Sequence, residues 1–132
     1  MPSTMRKTSM LVLALVTTLT GVAFAGAKFG QVTTVNASYA YGNMGYARNA
    51  GDATFPQYIG CSVTSSPGYR DMTCFAGNGL GRYGYCYSTD LALIEAARAV
   101  GSDSYIYFAW NTSGQCTYVS IESSSTWEPK LP

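Results

Sequence analysis

Four cysteines, eleven tyrosines and one glycine-rich hexad are the residues with chemistry to offer, and the sequence contains no histidine. Gly79-Leu-Gly-Arg-Tyr-Gly84 satisfies G-x-G-x-x-G, the spacing that lets a backbone approach a dinucleotide pyrophosphate. That chemistry needs a strand before the glycines and a helix directly after them, with its N-terminus facing the phosphates. Here Tyr83, Tyr85 and Tyr87 alternate with Gly84 and Cys86, a period of two, so another strand follows. The helix opens later, at Ser88, with Asp90 in its first turn, and that charge repels a phosphate. The hexad therefore reads as part of a hairpin loop over residues 76–81, and no cofactor is expected.

Other catalytic constellations are poorly supplied. Without histidine, the usual serine and cysteine triads and imidazole metal sites are gone. Beyond Lys7 the only lysines are Lys28 and Lys130, near the two ends of the chain. Asp71, Asp90, Glu95, Asp103 and Glu122 include, in principle, a glycosidase-like couple. Each has a simpler role at a helix start, on a helix surface, in a turn or at a strand end. The expectation is a protein with no catalytic residues and no metal.

The cysteines, Cys61, Cys74, Cys86 and Cys116, contain no C-x-x-C. An even number in an exported chain reads as two disulfides. With Pro67-Gly68 as a hairpin centre, Cys61 falls opposite Cys74, at a non-hydrogen-bonded position where side chains approach most closely. A bridge there closes a loop of about 14 residues and stabilises by about 3 kcal/mol in the chain-entropy model. Cys86 then joins Cys116. Pro-Gly, however, favours a type II turn over the primed turns of tight hairpins. A longer loop with shifted register sets Cys74 opposite Cys86 instead, so 61–74 with 86–116 is favoured and not fixed.

The expectation of export comes from the first 25 residues. Arg6 and Lys7 precede an apolar run from Met10 to Leu19, and Ala23-Phe24-Ala25 is a small-x-small cleavage site. The run is too short to span a membrane, which takes roughly twenty apolar residues. Cleavage after Ala25 removes Arg6 and Lys7 from a chain of net charge +1, leaving a slightly acidic domain. Such a domain has no clustered Lys and Arg for nucleic acid or anionic lipid. It is expected to be secreted or periplasmic, with no membrane attachment.

Three segments position these residues: 1–25 as the signal, 26–57 as a Gly/Ala/Tyr-rich arm or extra strands, and 58–132 as a disulfide-stapled domain. Within 26–57, Gln31–Val35 and Ser38–Tyr41 can each form a short strand, or belong to a tail. Beyond it, Tyr58–Thr64 and Arg70–Ala76 alternate around the Ser65–Gly68 turn. A helix is expected over Ser88–Gly101, N-capped by Ser88, with Gly101 just past its end. Ser104–Trp110 and Gln115–Glu122 supply two more strands around Asn111–Gly114. The order is β-β-β-α-β-β: an α+β fold with one antiparallel sheet of about five strands and one helix packed on it.

On such strands Tyr83, Tyr85 and Tyr87 share one outward face, and Tyr105 and Tyr107 form another row, with Cys86 and Ile106 pointing inward. A tyrosine ring is broadly apolar with a polar tip, suited to protein interfaces and sugar stacking. The expected partners are a protein or glycan surface, with self-association as a further outcome. Asn36-Ala-Ser38 and Asn111-Thr-Ser113 are glycosylation acceptors only in a eukaryotic host.

Tyr58-Ile-Gly-Cys61, then Cys86 followed by Ser88-Thr-Asp-Leu91, then Ser102-Asp-Ser-Tyr-Ile-Tyr-Phe108 resemble a group of small exported, disulfide-containing bacterial proteins. The resemblance covers residues 45–130 and implies export, disulfides and a single domain. No function comes with it. The expected role is a non-enzymatic structural or surface-interaction protein using its tyrosine-rich faces. The alternative is a small inhibitor or immunity-type protein that binds a partner enzyme.

Overall fold

The computed structural model describes residues 28–51 and 54–132, so the signal-like segment lies outside the described residues. In chain order the elements are β1 (Thr34–Val35), β2 (Tyr39–Asn43), α1 (Met44–Asn49), β3 (Gln57–Ser66), β4 (Tyr69–Asn78), β5 (Tyr83–Ser88), α2 (Leu91–Ala97), β6 (Tyr105–Trp110) and β7 (Cys116–Glu122). An antiparallel, mostly β architecture with helix and two disulfides is present. The single sheet with one helix is not. The strands divide into a four-stranded sheet, β1-β2-β6-β7, and a three-stranded sheet, β3-β4-β5, and there are two helices.

The second sheet arises because β2 pairs with β6, from Tyr39 opposite Ala109 to Asn43 opposite Tyr105. Segment 26–57 thus supplies an interior strand. Its inward residues are Ala40 and Gly42, both buried, while Tyr39 and Tyr41 point outward. Gly42 is needed for close approach, since a Cβ there would sit 2.9 Å from the Thr33 Cα. Asn43 then ends β2 and caps α1, accepting the Tyr46 N–H at 2.9 Å and donating to the Asp103 carbonyl at 2.9 Å.

The three-stranded sheet follows the sequence closely. Ser66 lies opposite Tyr69, which leaves Pro67-Gly68 as the turn. Gly68 takes φ +77°, as the third residue of a type II turn does, so this hairpin closes tightly without a primed turn. Cys61 and Cys74 face each other with Cα atoms 4.0 Å apart and are bonded. Cys74 also lies opposite Cys86 on its other side, so three cysteines line up across three strands. Cys86 bonds Cys116 of β7 and joins the two sheets covalently.

The inner faces share one core. Met72, Cys74, Ala76 and Cys86 come from one sheet, and Val35, Ala40, Ile106, Phe108 and Val119 from the other. Ile94 and Ala97 of α2 complete it, α2 packing against β7, β4 and β3. Each large apolar side chain buried in this way contributes roughly 1.5–3 kcal/mol.

The start of α2 differs from expectation. Its N-cap is Asp90, whose Oδ1 accepts from the N–H groups of Ala92 at 2.9 Å and Leu93 at 3.2 Å. Ser88 belongs to β5, opposite Met72, and its Oγ accepts the Asp90 N–H. At the other end the helix stops at Ala97 with Arg98 as C-cap, so Gly101 is not its terminator. Arg98 pairs with Glu95 at 3.5 Å on the exposed side.

The polar tail is fastened. Phe29 donates to the Thr126 carbonyl and accepts from the Glu128 N–H. Lys130 donates its N–H to Asp103 at 2.9 Å, and Leu131 donates to Asn49 at 2.7 Å. Gly45 lets the tail cross α1, because a Cβ there would collide with the Glu128 carbonyl.

Candidate functional site

The glycine hexad sits in the β4–β5 hairpin. Gly79 and Gly81 have φ of +74° and +86°, and Asn78 Oδ1 organises the loop by accepting from the Leu80 and Arg82 N–H groups. The glycines thus serve turn geometry, and β5 follows directly. The five carboxylates of the sequence reading are dispersed. Asp71 accepts from the Tyr69 hydroxyl, Asp90 caps α2, Asp103 holds the tail, and Glu122 accepts from Ser124. Glu95 is on the wet face of α2.

The tyrosine rows occupy the outer faces of two different sheets. On the three-stranded sheet, Tyr83, Tyr85 and Tyr87 project from β5, 73%, 59% and 38% exposed. Gly84, Cys86 and Ser88 alternate with them and are buried, which aims the rings outward. Tyr58 and Phe75 continue this face, their rings lying over Gly77 and Gly60 respectively and covering backbone that the glycines leave bare. The Tyr87 hydroxyl meets that of Tyr69 at 2.9 Å. That hydrogen bond, and then the one to Asp71, hold the Tyr69 phenol well above the usual tyrosine range.

Tyr105 and Tyr107 stand on the outer face of the four-stranded sheet, half-buried, in a larger cluster. Tyr107 stacks on Tyr39 and Tyr41, with centroids at 5.7 and 6.2 Å and planes within 17° and 9°. Tyr118 meets Tyr107 edge-on at 5.7 Å. Trp127, carried by the fastened tail, stacks on Tyr105 at 4.4 Å. Burial raises the Tyr105 pKa above its ordinary value, followed by the charges of Tyr41, Tyr107 and Glu122. Stacked pairs of this kind contribute about 0.5–1.5 kcal/mol each beyond their area, so the cluster is preorganised.

Sequence reasoning missed Tyr39, Tyr41, Tyr118 and Trp127 as members of this cluster. One signal was available. Tyr39-Ala-Tyr41 repeats the spacing of Tyr105-Ile-Tyr107, and the two pairs lie on adjacent strands. Trp127 gave none, since only tail docking brings it to Tyr105.

The chain matches none of the protein families, curated proteins or solved structures compared with it. Among the described residues no group of His, Cys, Asp and Glu is arranged to hold a metal ion. No helix among them is long and apolar enough to cross a membrane. The two disulfides point to an oxidising environment, extracellular or periplasmic.

Proposed function

We propose that this is a non-enzymatic protein, secreted or periplasmic, that acts by surface contact through its tyrosine-bearing sheet faces. The observation that carries the reading is the outer face of the four-stranded sheet, where stacked Tyr39, Tyr41 and Tyr107 adjoin the stacked pair Tyr105 and Trp127 through a tilted Tyr41–Tyr105 contact, in one partly exposed array. The exposed Tyr83, Tyr85 and Tyr87 supply a second face. Stacking stabilises the array but leaves part of each ring in water, where a contact surface gains further apolar area at small entropic cost. The partner is a glycan or protein surface that is broad and weakly charged.

Two variants test this. Tyr41→Ser with Tyr107→Ser removes the centre of the stacked array. Tyr83→Ser, Tyr85→Ser and Tyr87→Ser together strip the other face, where the rings are exposed and the fold should hold. Each is compared with the native protein by light scattering over a concentration series and by co-sedimentation with insoluble cell-wall polysaccharide. Loss of association in at least one folded variant supports the reading. Folded variants that associate like the native protein, or a native protein that neither assembles nor sediments, reject it.

A further inference from the structure

β5 is the edge of its sheet, and the hydrogen bonds at its two ends fix which way its backbone points. The Arg82 carbonyl accepts from Asn78 on the β4 side, while the Tyr87 N–H turns away from β4 and donates to the Gly114 carbonyl at 3.1 Å. In an antiparallel pair the backbone groups of alternate residues point to opposite sides. Tyr83 and Tyr85 therefore aim their N–H and C=O groups the same way as Tyr87, away from β4. Among the described residues nothing pairs with them. This stretch also lacks the devices that usually blunt an edge, having no lysine, no proline and no covering helix.

A groove of about 820 Å³ runs along the unpaired stretch. Its lining includes Gly84 and Trp110, Val35 and Ser38, and Asn111 and Gly114. Gly84 leaves room for Trp110, whose ring stands where a Cβ would be. Arg82 is the only charged residue of the lining and has no ion-pair partner among the described residues.

We propose that this groove binds an extended peptide segment of a partner protein, which adds a strand to β5 by pairing with the backbone of Tyr83 and Tyr85 and sets an acidic residue beside Arg82. Three observations select this occupant. Four convergent backbone groups in a row match another backbone. The same edge already takes another stretch of backbone, since Gln115, just before β7, makes an isolated parallel bridge to Tyr87. Arg82, the only charged residue of the lining, also calls for an acidic residue in the occupant. The β5 of a second copy, Tyr83–Ser88, carries no acidic residue to meet it. Side chains of the incoming strand alternate between the Trp110 side of β5 and the side of the Tyr83 and Tyr85 rings, so both faces of the segment are read. The proposal concerns the backbone edge and stands independently of the tyrosine faces.

The probe is the acetylated, amidated peptide Asp-Thr-Val-Thr-Val-Thr-Asp, with an acid at each end so that either strand direction reaches Arg82. Amide hydrogen exchange is followed by NMR on the oxidised protein. Near saturation, exchange at the Tyr83 and Tyr85 amides should slow about tenfold. Tyr85→Pro removes a groove-facing donor without costing a β4 bond, and should abolish the protection at Tyr83. Tyr85→Ser, which keeps the donor and loses the ring, should retain most of it. Should Tyr85→Pro fail to fold, Ser38→Trp places a ring in the groove lining and should block the peptide equally. The proposal is overturned if the peptide protects neither amide, if it protects another strand instead, or if the blocking variant binds like the native protein. It is also overturned if chitohexaose shifts Trp110 and Asn111 while the peptide does not, which would make the groove a sugar site.

Discussion

Ser88 and Asp90 both carry an oxygen that can cap a helix, and only one of them does. Local composition shows two candidates two residues apart. The choice is made by β5, whose pairing with β4 extends to Ser88 and holds its backbone in the sheet. Asp90 is the first residue free to turn, and its carboxylate takes two orphan N–H groups. Asp90→Ala should therefore cost about 1 kcal/mol, seen as a lower urea midpoint with an unchanged slope. Ser88→Ala should cost less. A reversed order would mean that the helix is capped from Ser88. The existence of α2 was legible in its sequence; its first residue was not, because a neighbouring strand decides it.

At the scale of elements, the strands divide into those whose pattern announces them and those whose pattern misleads. β3, β4 and β5 show a clear period of two and are joined by short glycine turns, so their pairing follows from local sequence. β2 inverts the usual appearance, with bulky rings outside and Ala40 and Gly42 inside. A segment whose core face is that small looks poor in core residues, which is why it passes for an arm. The buried glycines are where this economy of volume can be measured. Gly84→Ala puts a methyl group against the Trp110 ring and should destabilise by about 1–3 kcal/mol. Gly101→Ala meets no atom closer than 3.6 Å and should leave the thermal midpoint nearly unchanged or slightly raised. Equal effects at the two sites would show that the Trp110 contact is loose.

For the whole molecule, the consequence of β2 is that the N-terminal segment cannot be dispensed with. Deleting residues 26–44 removes β1, β2 with its pairing to β6, and the cap and first residue of α1. The truncated chain should lose its cooperative unfolding transition, as followed by circular dichroism; a shortened domain that still melts sharply would show β2 to be peripheral. No local pattern reveals that pairing, since its partners come from opposite ends of the chain. The same arrangement gives folding a timetable. Everything from α1 to α2 is inserted between β2 and β6, and Asn43 waits for Asp103, sixty residues further on. A chain emerging N-terminus first can close β3, β4 and β5 from neighbours while β2 has only the short β1 to pair with. Oxidation has its sequence too. Cys61 and Cys74 meet within one hairpin, whereas Cys86 must remain a thiol until Cys116 arrives, with Cys74 directly across the strand in the meantime. If Cys74 is still a thiol when Cys86 pairs beside it, an oxidant can join those two, and thiol–disulfide exchange is then needed to reach the native pairing.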